Sequence, residues 1–313
     1  MIRLHRVLIT APWFTKRHLE SLEERFEVTA NTKTRWFTED ELVAMIGGYD
    51  AVIAGLDPFT DRVIAEAGRL RIIARRGIGY DKVDLAACKR RGIFVTNTPV
   101  PEEHQAVAEF TVALLLDVCK NVTRSANSLR SGSWERGAFL GRNIEGMTVG
   151  VVGLGNIGRR VAKILSGFGA QVIYHDPYVH SSEFKGVGLQ ELFSSADAVS
   201  VNLVKTDETQ GLITPELLGS MKPGSFLVNT SRPEVLVPGA LKRAVEGGRL
   251  TVGLDVFDRE PPEDDPLLGF ESVLPTPHVG AYSAEAFDAI DRTCVSNVVK
   301  VLEGAKPEYV VNP

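Results

Sequence analysis

Cysteine is scarce: three in 313 residues, Cys88, Cys119 and Cys294, far apart and without metal-ligand or redox spacing. A sparse, odd count excludes a disulfide framework and fits reduced thiols in a cytoplasmic protein with no metal site. Long apolar runs are missing too. The most apolar stretch, Val112 to Val118, is interrupted by Asp117 and is far too short to span a bilayer. Nor is there an excess of positive charge. Lys plus Arg number 35 against 40 Asp plus Glu, a net charge of -5. The short basic groups Arg75-Arg76, Lys89-Arg90-Arg91 and Arg159-Arg160 are scattered, so the chain carries no electrostatic footprint for nucleic acid. It shows no solenoid repeat and no low-complexity segment. Met1 to Arg6 leads straight toward a strand, without the apolar core of a secretory signal. What is present is a globular composition, 44% hydrophobic and 24% charged, in a chain long enough for two domains.

The first hundred residues alternate between short β-branched runs and amphipathic segments. Arg6 to Thr10, Ala51 to Ala54, Leu70 to Ala74 and Ile93 to Thr96 read as strands. His18 to Phe26, Asp61 to Ala67 and Leu85 to Arg91 read as helices, the last closed by Gly92. Thr38 and Glu41 form a capping box that opens a helix through Ile46. This rhythm predicts a parallel sheet wound on both faces. From Glu103 to about Leu129 comes one long helical stretch with no Gly or Pro, its face marked by Val107, Phe110, Leu114 and Val118. After Arg142 the alternation restarts and continues to about Val279. A last helix, Ala284 to Leu302, returns the chain toward the first domain. The expected class is α/β, with two doubly wound parallel-sheet domains. A central domain (101–282) is inserted into a discontinuous outer domain (1–100 and 283–313).

The strand Thr148 to Val152 runs directly into Gly153-Leu154-Gly155-Asn156-Ile157-Gly158, which opens a helix containing Val161, Ala162 and Leu165. Gly153 permits the tight turn, Gly155 lets a pyrophosphate approach the backbone, and Gly158 lets the helix pack close to the strand. The helix N-terminus offers unpaired N–H groups to phosphates. The next strand, Val172 to Tyr174, ends at Asp176, 18 residues past Gly158. There a carboxylate can accept from both ribose hydroxyls and repel a 2′-phosphate, which favours NAD over NADP. A turn aspartate before Pro177 is the alternative role.

Three further residues fall on successive strand-end loops: Arg232 after Phe226 to Val228, Glu260 in the loop after Asp255, and His278 between Pro277 and Gly280. Each alone would be unremarked, as a surface arginine, a solvated acid or a structural histidine. Together they suit hydride transfer from a hydroxy acid. A histidine takes the hydroxyl proton near neutral pH, a carboxylate fixes its tautomer, and an arginine grips the substrate carboxylate bidentately.

In these motifs the chain resembles the D-2-hydroxyacid dehydrogenase family, in its phosphoglycerate-dehydrogenase-like branch. The resemblance runs from about Ala51 to Pro313. It includes Arg76 to Asp84, Val95 to Pro99, Val107-Ala108-Glu109, the glycine segment, Asn229 to Arg232, Leu254 to Phe257 with Glu260-Pro261, and Thr276-Pro277-His278. It implies a Rossmann NAD-binding domain (101–282) inserted into a discontinuous, flavodoxin-like substrate domain (1–100 and 283–313), and an NAD-dependent oxidoreductase acting on a small 2-hydroxy or 2-keto acid of hydroxypyruvate, glyoxylate or phosphoglycerate type. Arg232, Glu260 and His278 would be its catalytic set. Gly153, Gly155, Asn156, Ile157, Gly158, Asp176, Thr230 and Asp255 would hold the cofactor, with Asp255 near the nicotinamide carboxamide. Arg75, the backbone N–H groups of Ile78 and Gly79, and Arg232 would bind the substrate. A homodimer with the long helix in its interface is implied as well, and closure of the two domains over the site.

Departures exist. Pro233 stands where the family usually has Gly, and Ile53-Ala54-Gly55-Leu56 lacks an arginine that phosphoglycerate-handling members often use. With the sequence ending soon after the last helix, the expectation is a protein without the C-terminal regulatory domain of longer relatives. The resemblance also admits an NAD-sensing, corepressor-like interaction protein or a phosphite dehydrogenase on the same scaffold. Glu260 speaks against a formate enzyme, which usually carries Gln there.

Overall fold

The computed structural model describes residues 4–313. In chain order the elements are β1 (Arg6–Ile9), α1 (Lys16–Glu23), β2 (Glu27–Ala30), α2 (Glu39–Met45), β3 (Ala51–Ala54), α3 (Asp61–Glu66), β4 (Ile72–Arg75), α4 (Leu85–Arg90), β5 (Phe94–Thr96) and α5 (Pro101–Lys120). They continue with α6 (Val122–Arg130), β6 (Thr148–Val152), α7 (Asn156–Gly167), β7 (Gln171–His175), β8 (Lys185–Gly186), α8 (Leu189–Ser195), β9 (Ala198–Val201), α9 (Pro215–Ser220), β10 (Ser225–Asn229), α10 (Ala240–Glu246), β11 (Leu250–Leu254), β12 (Val273–Pro275) and α11 (Ala284–Leu302). The chain divides into two compact units. Unit 1 runs to Glu103 and resumes from Ser283 to Pro313; unit 2 is His104–Tyr282.

Unit 1 is built on a parallel sheet of order β2-β1-β3-β4-β5. Alternate residues of its central strands face opposite sides, as the period of two demands. Leu8, Val52, Ile73 and Val95 pack with Leu42, Ile64 and Ala87 from α2, α3 and α4. Val7, Ile9, Ile53 and Ile72 pack with Leu22 of α1 and with Val298 and Val301 of α11. Both faces are therefore covered, which is why these strands read as nearly continuous apolar runs. The Thr38–Glu41 capping box forms as expected. α11 is fastened by a buried ion pair, Arg76 Nε to Asp291 at 2.5 Å, with Phe287 beneath the guanidinium.

Unit 2 carries a seven-stranded parallel sheet, β12-β11-β10-β9-β6-β7-β8. One face packs α5 and α7 through Leu114, Leu115, Val161 and Leu165, and the other packs α8, α9 and α10 through Leu192, Leu217 and Leu241. The single long helix expected from Glu103 to Leu129 is instead two helices. Asn121 between them takes a left-handed φ of +55°, a conformation its short polar side chain tolerates without a glycine to announce it. All three cysteines are free and buried. Burial pushes the Cys88 and Cys119 thiols up to about 12, leaving them unreactive. No helix of the described residues is long and apolar enough to cross a membrane.

Candidate active site

Strand register decides which residues of unit 2 meet. His175 pairs with Val152, Val152 with Val201, Val201 with Asn229, Asn229 with Leu254, and Leu254 with Pro275. The strands therefore end level, and the loops that follow them share one carboxyl edge. That edge is where open α/β sheets bind ligands.

At β6 the edge is a phosphate cradle. Gly153 has φ +86°, and a Cβ there would fall 2.6 Å from Asn202 O. A Cβ on Gly158 would overlap the Gly153 carbonyl, so the first turn of α7 packs directly on the turn before it. The space beside Gly155 is open, no side chain caps α7, and its first turn holds no acid. The N–H groups of the Asn156-Ile157-Gly158 turn are thus available to a diphosphate. Asp176, just past β7, accepts from Leu154 N–H at 2.7 Å and from Tyr178 and Val179 N–H at 2.9 Å. It is a turn aspartate, then, and it also ties the glycine turn to the neighbouring strand. Three of its roughly four acceptor positions are filled, leaving one for a ribose hydroxyl. Cradle and acid together fit a dinucleotide.

Beyond β10, the buried Asn229 shapes the arginine turn. Its Oδ1 accepts from Ser231 N–H and Oγ–H, and its Nδ2 donates to Arg232 O at 3.0 Å. Arg232 is extended (φ -142°, ψ 140°), and Pro233 follows as the first residue of a short 3-10 turn. That backbone is what a residue before proline prefers, and a first-turn proline loses no needed N–H. Pro233 thus holds the arginine loop without breaking a bond. Thr111 donates to Val107 O, so Thr230 Oγ1, at 2.6 Å, is the donor to Thr111.

His278 and Glu260 meet through Nδ1 and Oε2 at 2.8 Å. A carboxylate only accepts, so Nδ1 carries the proton and Nε2 is left for chemistry. Burial opposes ionisation of Glu260. The hydrogen bond and charge of His278, the Phe257 N–H and the charge of Arg232 outweigh it and hold the carboxyl below its ordinary value. Arg232 therefore acts on the same carboxylate.

His278 itself has φ +55°, a strained backbone for a residue with a Cβ. Asp255 is what holds it. This carboxyl, 1% exposed, accepts from Thr276 Oγ1 at 2.7 Å, Val279 N–H at 2.9 Å and Gly280 N–H at 2.8 Å, bracketing the histidine on both sides. Burial raises the Asp255 pKa, and those three donors oppose the shift. The resemblance implies that Asp255 supports the site, but its partners, more than twenty residues away, emerge only in the fold.

The remaining expected substrate residues lie in unit 1. Arg75 is buried, and its guanidinium donates to Ala54 O and Arg76 O. Ile78 N–H donates to Glu103 Oε1 at 3.2 Å, so an incoming carboxylate would share that donor with Glu103. Gly79 lies half-buried beside it. Glu103 had no expected role. Burial pushes its carboxyl up to about 7 despite the charge of Arg75 and the Ile78 N–H.

Residues 112–280 match the family model described as D-isomer specific 2-hydroxyacid dehydrogenase, NAD binding domain. The chain belongs to the D-isomer specific 2-hydroxyacid dehydrogenase family. Hydroxypyruvate reductase of Thermotoga maritima is 36% identical, across 90% of this chain and 92% of its own length. D-3-phosphoglycerate dehydrogenase of Mycobacterium tuberculosis is 40% identical across 90% of this chain but 55% of its own length. This family member thus spans about half the length of the mycobacterial protein. D-lactate dehydrogenase of Aquifex aeolicus, solved with NAD and lactic acid, superposes with a TM-score of 0.87 at 26% identity over 99% of each chain. NAD is accordingly the cofactor of this family member.

Proposed function

We propose that this chain is an NAD-dependent oxidoreductase that interconverts a small D-2-hydroxy acid and its 2-keto acid. The observation that carries the reading is the His278–Glu260 pair, held at 2.8 Å with Nε2 unspent, on the same sheet edge as Arg232 and the dinucleotide cradle. Bound NAD supplies the hydride acceptor, and NADH the donor. In the reductive direction C2 of the keto acid gains a hydride and its oxygen gains the proton held at His278 Nε2. Glu260 stabilises the imidazolium that precedes this transfer and fixes the ring. Arg232 anchors the substrate carboxylate and supports negative charge on the C2 oxygen. Asp255 keeps the histidine aimed.

The test is NADH oxidation with a panel of 2-keto acids, with and without a phosphate group. Turnover that drops about 10²- to 10³-fold in Arg232→Ala is expected, the size seen when one oxyanion donor is removed. Tight NADH binding without turnover of any 2-keto acid would contradict the reading.

A further inference from the structure

The amino edge of the unit 1 sheet holds a cavity of its own. β4 and β5 are parallel neighbours, so Arg71 and Gly92, which precede them, lie at the end opposite to Ile78 and Gly79, which follow β4. There the ends of α4 and α11 border a cavity of about 380 Å³, within the ~300–1,000 Å³ of small-molecule sites. Every residue lining it belongs to unit 1.

The two helices end in the same way. Gly92 and Gly304 take left-handed φ values of +66° and +88°. Ile93 N–H returns to Cys88 O at 2.9 Å, as Ala305 N–H returns to Lys300 O at 2.7 Å. These are Schellman turns, which satisfy helix-end carbonyls. Glu303 N–H, Gly304 N–H and Arg71 Nη1 take Val299 O, Val301 O and Leu302 O. The last four carbonyls of α11 are therefore all engaged, and none is left to repel an anion. A Cβ on either glycine would meet nothing within 4 Å, so the turns leave the space beside them open.

Three cations line that space: Arg71, Arg91 and Lys306. No acid among the described residues lines it. The acids of the adjoining segments are committed elsewhere, Glu303 to Arg25, Asp61 to Arg90 at 2.5 Å and Glu308 to Lys300 at 2.8 Å. Among the described residues, the side chains of Arg91 and Lys306 have no hydrogen-bond or ion-pair partner. A cation at a helix C-terminus complements the macrodipole, which accounts for one beside each helix but not for their convergence on an acid-free cavity. Leu70 and Val301, 6% and 2% exposed, and the half-exposed Phe94 add apolar surface.

We propose that this cavity binds a small phosphate monoester, its phosphoryl group held by Arg71, Arg91 and Lys306 and its organic body lying against Leu70, Phe94 and Val301. Arginine meets phosphate with paired N–H donors and lysine as a point charge. The site shares no residue with the dinucleotide cradle or with the Arg232 edge, and it stands whether or not the chain is a dehydrogenase.

The experiment is calorimetric titration of the NADH-saturated protein with phenyl phosphate and with inorganic phosphate. NADH fills the cradle, which binds phosphate groups itself. The salt is held at about 0.15 M, where exposed charges more than about 8 Å apart are largely screened. Wild type should bind phenyl phosphate more tightly than inorganic phosphate. Arg91→Ala and Lys306→Ala should each weaken phenyl phosphate about two- to fivefold, the worth of an exposed ion pair. Lys16→Ala removes the same charge from the start of α1, where the side chain is 88% exposed, and should leave the affinity unchanged. Phe94→Ala should weaken phenyl phosphate while sparing inorganic phosphate. Absence of binding to wild type overturns the proposal. So does binding that survives both Arg91→Ala and Lys306→Ala, which would assign the two cations to their helix ends alone. An equal loss in Lys16→Ala would show diffuse attraction, and a loss confined to Arg232→Ala would place the anion at the other edge; either result overturns it too. Arg91 and Lys306 are exposed turn residues, and either variant decides the matter if the other fails to fold.

Discussion

Asp57 in unit 1 and Asp255 in unit 2 make the same bonds in two places. Each sits just past a strand of a parallel sheet, buried, and accepts from one threonine hydroxyl and two backbone N–H groups. Burial raises the pKa of both. What they hold differs. Asp255 braces a turn that presents a titratable ring, His278, beside Glu260. Asp57 braces loops that present indole and glycine. The same device, a buried carboxylate gathering strand-end donors, therefore serves an edge with an imidazole–carboxylate pair in one unit and an apolar edge in the other. Architecture makes the two edges, and the side chains on them decide what each can do. The charges follow the same division. Unit 2 leaves an uncapped helix N-terminus at its edge, while in unit 1 Glu103 and Asp291 take up Ile78 N–H and Arg76.

This contrast can be broken by substitution. The largest effect should come from Glu260→Gln, which keeps a hydrogen-bonding partner for Nδ1 but removes the charge that stabilises an imidazolium. A fall in kcat of about 10²- to 10⁴-fold is expected, the usual worth of acid–base catalysis. A kcat near wild type would show that the pair is structural only. Asp176→Ala should weaken NADH binding about tenfold, roughly 1.4 kcal/mol, and relax discrimination against NADPH. An unchanged cofactor preference in a binding titration would mean that Asp176 serves only its turn.

The smallest effect belongs to unit 1. Burial raises the folded pKa of Glu103 to about 7, above the ordinary carboxyl value. Between the two values the native state binds more protons than the unfolded chain, so this group's contribution to stability declines as pH rises from about 4.5 to about 7. Denaturant unfolding of wild type and Glu103→Gln across that window should show the wild type losing ground as pH increases. A constant difference would show that Glu103 does not titrate there.

Much of this arrangement was legible beforehand. β3, β6 and α11 follow directly from apolar periodicity, and the glycine turn from its spacing. β2 was missed because Glu27–Ala30 is a short, half-exposed edge strand with no apolar alternation to mark it. The break at Asn121 carries no Gly or Pro, so nothing in the composition of that stretch reveals it. The chemistry-bearing side chains Arg232, Glu260 and His278 could be picked out because loops at strand ends are where ligands bind. The individual bonds that brace the loops could not. Asp255 reaches donors 21 to 25 residues away, Asp57 in unit 1 reaches Thr10 and Phe37 as well as the nearby Gly55, and Glu103 is shifted by burial that only the folded chain creates. The strain at His278 is invisible for the same reason, since φ is set by the bonds around it and not by the residue.

The central claim is that His278 moves the proton on the carboxyl edge of unit 2 without helping to hold the cofactor. The direct measurement is turnover of a 2-keto acid by His278→Ala, alongside its NADH affinity. The account predicts kcat lowered by about 10²- to 10⁴-fold, with NADH bound as tightly as by wild type. Turnover comparable to wild type in that variant would remove His278 from the chemistry and contradict the account.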